Sequence, residues 1–302
     1  MNEKIENTCL KVVNDLLLIT EKNERKLDVS IVGGALREMV LEKDEVSDID
    51  LLVSLDSKLN MFSEYEEKRE YISSYEMTSL NNYLNYEKNQ LLKIANQLKE
   101  SGYEVKEYIF VDTNNESDNE VNRKQAEYET DKRLYGVLKI KHKSLNYNVD
   151  LLFTLGAHNF VQERFDFNIC KIESFLVTDS KINNYQKGNW ITNNIIKSNK
   201  FLTDIKNKEI TYLEHDAPSE SVRKSFEVHF PKIKKKYPDY KLRIEFYHEF
   251  NKEKIFCDIL MQDVLLKRTE KQEIILKYAQ KAIIELNLNK EIKVNNKKIN
   301  KK

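Results

Sequence analysis

Hydrophobic positions change period along the chain, and each change marks an element. Ile5, Cys9, Val12, Val13, Leu16 and Leu17 recur at helical spacing, which predicts an amphipathic helix over 3–22. The β-branched run Val29 to Val32 predicts a strand over 28–32. Two adjacent glycines interrupt it, a short helix is predicted over 34–42, and Leu51 to Val53 anchor a second strand at 48–54. Residues 55–78 are polar and tyrosine-rich with weak periodicity, either an insertion or a helix of open extent. Leu80, Tyr83, Leu84, Leu91, Ile94, Ala95 and Leu98 then mark a helix that Gly102 closes. Strands are predicted near 103–111, 135–142 and 146–154, with an acidic, Asn-rich surface loop at 112–131. Farther on come a strand at 210–213, a helix at 218–236 bearing a lysine run, and a helix from Thr269 to about Leu286. The last opens on a capping-box signature, Thr269 to Gln272.

This mixture of periods predicts an α+β fold. A head domain is placed at 1–178, a smaller mixed or helical domain at 179–287, and a basic, disordered tail at 288–302. Pro218, Pro231 and Pro238 are the chain's three prolines, and they mark a candidate interdomain region. The 302 residues are ample for a buried core, and 33% charged residues describe a soluble protein. Net charge is zero, so no global field draws the chain to nucleic acid; the basic stretches at 232–241 and 288–302 are local. Cys9, Cys170 and Cys257 are scattered without a CxxC spacing, which predicts neither zinc site nor disulfide and a reducing, cytoplasmic setting. No apolar run approaches a membrane span and no secretory leader is read at the start. The five histidines form no i,i+4 pair, and Trp190 is read as core.

The chemistry concentrates in Val29 to Val53. Strand side chains alternate faces, so Asp48 and Asp50 share one face while Ile49 and Leu51 share the other. Two carboxylates on one side repel unless a cation lies between them, and Mg²⁺ favours such oxygen ligands. Gly33 and Gly34 allow a phosphate to approach backbone N–H groups at a helix start, where the dipole favours an anion. Asp150 is the only acid in a run that otherwise looks buried. It is either a metal ligand or base, or the partner of Lys139 or Lys141 on the neighbouring strand.

Gly33-Gly34-Ala35-Leu36-Arg37 followed by Asp48-x-Asp50 resembles the first motif of the DNA polymerase β-like nucleotidyltransferase superfamily. The likeness is to the head of bacterial poly(A) polymerases and class II CCA-adding enzymes. Glu38 stands where that family usually has Asp. Arg164-Phe165-Asp166-Phe167-Asn168-Ile169 resembles its Arg-Arg-Asp-Phe-Thr-Ile segment, with Phe165 in place of the second Arg and Asn168 in place of Thr. The resemblance covers roughly residues 25–175 and implies a mixed sheet flanked by helices.

It further implies metal-dependent transfer of a nucleotide. Asp48, Asp50 and Asp150 would hold Mg²⁺ or Mn²⁺, Gly33, Gly34 and Arg37 would bind the phosphates, and Arg164 with Asp166 would address the ribose. The implied substrate is an NTP, ATP or CTP, and the implied acceptor an RNA 3′ end such as that of tRNA. Lys232, Lys234, Lys235 and Lys236 are the candidate RNA contacts. A protein or small-molecule acceptor, and a non-catalytic nucleotide- or RNA-binding module, are the alternatives.

Overall fold

A computed structural model describes residues 2–43, 46–55, 74–110, 121–122, 125–126, 134–154, 165–197, 199–213, 219–248, 257–286 and 293–298. Arg164, most of the 55–78 stretch and most of the 112–131 loop lie outside them. The chain divides into two compact units, Met1–Glu163 with Cys170–Lys197, and Arg164–Ile169 with Ser198–Lys302.

The first unit is built on one mixed sheet. Helix α1 (Asn2–Lys22) leads to β1 (Asp28–Val32), α2 (Gly33–Val40) and β2 (Asp48–Ser54). Helix α3 (Ser74–Glu100) precedes β3 (Glu104–Ile109), β4 (Leu134–Lys141) and β5 (Asn148–Thr154). Then come β6 (Ile172–Thr178), β7 (Lys181–Ile182), α4 (Trp190–Asn193) and β8 (Ile195–Lys197). The strand order is β3-β4-β5-β2-β1-β6-β7, with β8 also on β6. β2 and β5 are parallel, and the other pairs of this sheet are antiparallel. This is the mixed sheet flanked by helices that the alternating periods and the resemblance imply.

Helices cover one face. Ile5, Cys9, Val12, Val13 and Leu16 of α1 are fully buried, as their spacing predicts. α3 lies so close to β4 that a Cβ on Gly136 would meet Leu91 Cδ1 at 2.4 Å. Gly102 ends α3 with φ +89°; its N–H and that of Tyr103 reach back to the carbonyls of Lys99 and Leu98. The unit continues past residue 178 because β7 and β8 both pair with β6. Trp190 is fully buried there and its indole N–H donates to the Asn183 carbonyl at 2.7 Å. None of the described helices is long and apolar enough to cross a membrane.

The second unit holds a parallel sheet, β11-β10-β9, of Glu209–Leu213 (β9), Lys241–His248 (β10) and Lys293–Lys298 (β11). Residues 293–298, expected to be disordered, instead pair along the edge of β10. The backbone groups of that edge gain partners, and an edge strand tolerates lysine well. The unit's helices are α5 (Asn199–Asn207), α6 (Ser219–Lys224), α7 (Phe230–Lys236) and α8 (Cys257–Glu285). Thr269 falls inside α8 and so does not open it. The preceding Leu, Met, Gln, Lys and Arg residues are good helix formers and carry the helix back to Cys257.

Between α6 and α7 the turn Ser225–His229 widens to π geometry. Pro231 lacks an N–H for the Glu227 carbonyl and its ring crowds that group, which loosens the turn before it. Phe167, Tyr212, Phe226 and Phe230 form the aromatic core, with Phe167 5.5–6.0 Å from the other three rings.

A buried carboxyl nearby makes this unit's stability pH-dependent. Asp204 accepts from the Thr211 hydroxyl at 3.0 Å, while its Oδ2 finds no partner among the described residues. Burial, with Glu209 and Glu245 adding to it, pushes the carboxyl up from 3.8 to about 6. The folded state therefore holds a proton that the unfolded chain releases above its ordinary value. Stability is full below about pH 4 and falls as pH rises through about 6, by roughly 3 kcal/mol in all. Asp204→Asn removes the ionising group, so the variant should melt at a higher temperature than the parent at pH 8. At pH 5 the gap should narrow. Thermal melts at the two values check this, and parallel pH dependences would refute it.

Candidate metal and nucleotide site

The face of the first sheet opposite α3 carries the acids. β2 begins at Asp48, so Asp48 and Asp50 point the same way about 6.6 Å apart along the strand. The parallel register sets Asp50 opposite Asp150 and Asp48 opposite Asn148. Register partners on adjacent strands share a face about 4.8 Å apart, so Asp50 and Asp150 are direct neighbours. Asp48 is exposed, Asp50 half-buried and Asp150 buried. Ser47 donates its hydroxyl to Asp48 at 2.7 Å.

The antiparallel pairing of β1 with β2 sets Val32 opposite Asp50, which brings the next residue, Gly33, to the carboxylate. A Cβ on Gly33 would lie 3.0 Å from Asp50 Oδ2, and its φ is +72°. Glycine is thus favoured at position 33 by conformation, and a Cβ there would also press on the Asp50 carboxylate. At Gly34, among the described residues, a Cβ would meet only Arg37 Nη2, at an ordinary 3.8 Å.

Arg37 is placed differently from a free phosphate ligand. It is 4% exposed and donates from Nε and Nη2 to Glu38 Oε1 at 3.1 and 2.8 Å. Its Nη1 lies 3.2 Å from Cys170 Sγ. Glu38 is itself buried and holds the guanidinium inside the protein.

The donor set suits a hard divalent cation: carboxylate oxygens from two adjacent strands on one face, with the Gly33 backbone beside Asp50. Among the described residues no three His, Cys, Asp or Glu side chains already converge as a metal cluster. Beside Asp150 stands instead the ammonium of Lys139, 3.2 Å from Oδ2. The sequence left Lys139 and Lys141 open as partners of Asp150, and the register with β4 selects Lys139.

The second unit holds the other residues. Asp166 accepts from His229 Nδ1 at 2.8 Å, a pair that the wide sequence separation concealed. Phe167, next to it, is part of the aromatic core rather than a surface ring. Arg164 lies outside the described residues. Of the lysine run, Lys232 and Lys235 are exposed and Lys236 half-buried. Lys234 is buried and donates to the carbonyls of Pro238 and Tyr240 in the turn that follows α7.

No protein-family model and no curated protein matches the sequence. Among solved structures the chain is similar to a tRNA-processing enzyme in an apo form, at 16% identity and TM-score 0.38 over 91% of this chain and 55% of that one. It is similar to a Thermotoga maritima CCA-adding enzyme complexed with tRNA at 12% identity and TM-score 0.38, over 94% of this chain and 48% of that one. A tRNA nucleotidyltransferase complexed with a primer tRNA and an incoming ATP analog matches at 15% identity and TM-score 0.33, over 91% of this chain and 56% of that one. The chain spans about half the length of these proteins.

Proposed function

We propose that this chain is a metal-dependent nucleotidyltransferase that moves NMP from an NTP to an acceptor hydroxyl, with an RNA 3′ end as the acceptor. One observation carries the reading. Asp50 and Asp150 are register partners on adjacent parallel strands, Asp48 shares their face, and the Gly33 backbone abuts Asp50. Acids packed this closely repel, and a divalent cation held between them would offset that repulsion.

In this reading Asp48 and Asp50 hold Mg²⁺ or Mn²⁺, and Asp150 completes the acceptor side or takes the proton of the acceptor hydroxyl. Bound there, the ions would neutralise the triphosphate and the charge that develops on the attacking and leaving oxygens. The backbone N–H groups at Gly33 and Gly34 receive phosphate oxygens, and Arg37 joins them by exchanging Glu38 for phosphate. The proposed NTP is ATP or CTP. The exposed Lys232 and Lys235 give an anionic acceptor a place to meet a chain of zero net charge.

The test is incubation of the purified protein with α-labelled ATP or CTP, Mg²⁺ and cell lysate. Label should enter a product that RNase destroys and protease spares. Protease-sensitive label would move the acceptor to protein, and label in a small species would move it to a metabolite. Absence of transfer with every NTP, under Mg²⁺ and Mn²⁺, would overturn the enzyme reading.

A further inference from the structure

Lys139 stands in the row of acids. On β4 it is the register partner of Asp150, which on β5 is the partner of Asp50 on β2. The three side chains therefore point to one face across three neighbouring strands. The Asp150 side chain is 9% exposed and that of Lys139 29%, with Nζ and Oδ2 3.2 Å apart. A carboxylate so deeply set is stabilised by a positive charge beside it, and Lys139 supplies one.

We propose that Lys139 is the internal counter-ion of Asp150, a built-in competitor that a divalent cation must displace before Asp150 can ligate it. The inference rests on the metal-site reading above. A lysine suits such an exchange. Its charge sits on a flexible four-carbon stem that can swing towards solvent, whereas an arginine would grip both carboxylate oxygens with a rigid fork. Asp50, Asp150 and Lys139 together carry one net negative charge, two carboxylates against one ammonium, where the acids alone would carry two. The site is thereby a weaker trap for a bare ion. An ion that arrives on a triphosphate brings anionic oxygens, which give the displaced ammonium a new partner. Lys139 in this way favours loading by metal and nucleotide together over loading by metal alone.

Mn²⁺ binding to the nucleotide-free protein, followed by the electron paramagnetic resonance signal of free Mn²⁺, reads this without any turnover. Lys139→Met should tighten Mn²⁺ binding by about tenfold, since a like charge a few ångströms away is removed. Lys139→Arg should weaken it. Unchanged or weaker binding by a folded Lys139→Met would overturn the proposal. Should that variant fail to fold, Lys139→Arg, which keeps the charge, decides alone: weaker binding supports the proposal, and equal or tighter binding overturns it. Asp50→Asn separates the two levels. If it binds Mn²⁺ as the parent does, the metal-site reading itself is lost. If it loses Mn²⁺ while Lys139→Met matches the parent, only the role of Lys139 falls.

Discussion

Asp50→Asn is expected to abolish nucleotide transfer, lowering turnover by roughly a thousandfold or more, about 4 kcal/mol of transition-state stabilisation, with the fold intact. The amide matches the carboxylate in shape but offers a neutral oxygen where a charged ligand is needed. Asp50 is half-buried near the start of β2, and the substitution keeps its side-chain volume. It also faces Asp150 across the parallel pair, and neutralising one of two neighbouring acids relieves repulsion. The melting temperature should therefore hold or rise while activity disappears. Asp48→Asn should behave alike on activity, with a smaller stability change because Asp48 is exposed and its hydrogen bond to Ser47 is local. Labelled-NTP turnover beside a thermal melt checks both variants. Full turnover in either folded variant would refute its assignment as a ligand.

Much of the first unit is legible as period. Strands β1 and β2, helix α1 and the Gly102 stop all follow from local spacing and turn chemistry, which a short window carries. The shared face of Asp48 and Asp50 is equally local, since alternation alone fixes it. What alternation does not carry is register between distant strands. The pairing of Asp50 with Asp150, and the choice of Lys139 over Lys141, depend on how β2, β5 and β4 align. The bond between Asp166 and His229 is hidden for the same reason.

Other departures have local physical causes that compete with the pattern. Lys234 reads as one of a solvated run, yet its long stem folds back so that the ammonium reaches the carbonyls of Pro238 and Tyr240. Arg37 reads as a phosphate ligand from its place after the glycines, while its buried pairing with the neighbouring Glu38 is not visible in that pattern. Thr269 carries a capping signature that goes unused because the helix-forming residues before it continue the turn.

Gly33→Ala should cost most of the activity, on the order of a hundredfold, and about 1–3 kcal/mol of stability. Two effects act together. At φ +72° an L side chain strains the backbone, a penalty of roughly 1–2 kcal/mol for a single residue. The added methyl would also sit 3.0 Å from Asp50 Oδ2, a tight contact that makes the carboxylate give by a few tenths of an ångström. That displacement strikes the group with the largest assigned role, which is why activity should fall further than the stability loss alone explains. Gly34→Ala provides the contrast in stability. It meets only Arg37 Nη2 at ordinary contact distance and replaces a helical glycine, so its urea midpoint should be unchanged or higher. Urea denaturation of both variants, with turnover of Gly33→Ala measured where it is fully folded, checks the pair. A folded Gly33→Ala with undiminished turnover would show that the contact between Gly33 and Asp50 has no part in the chemistry.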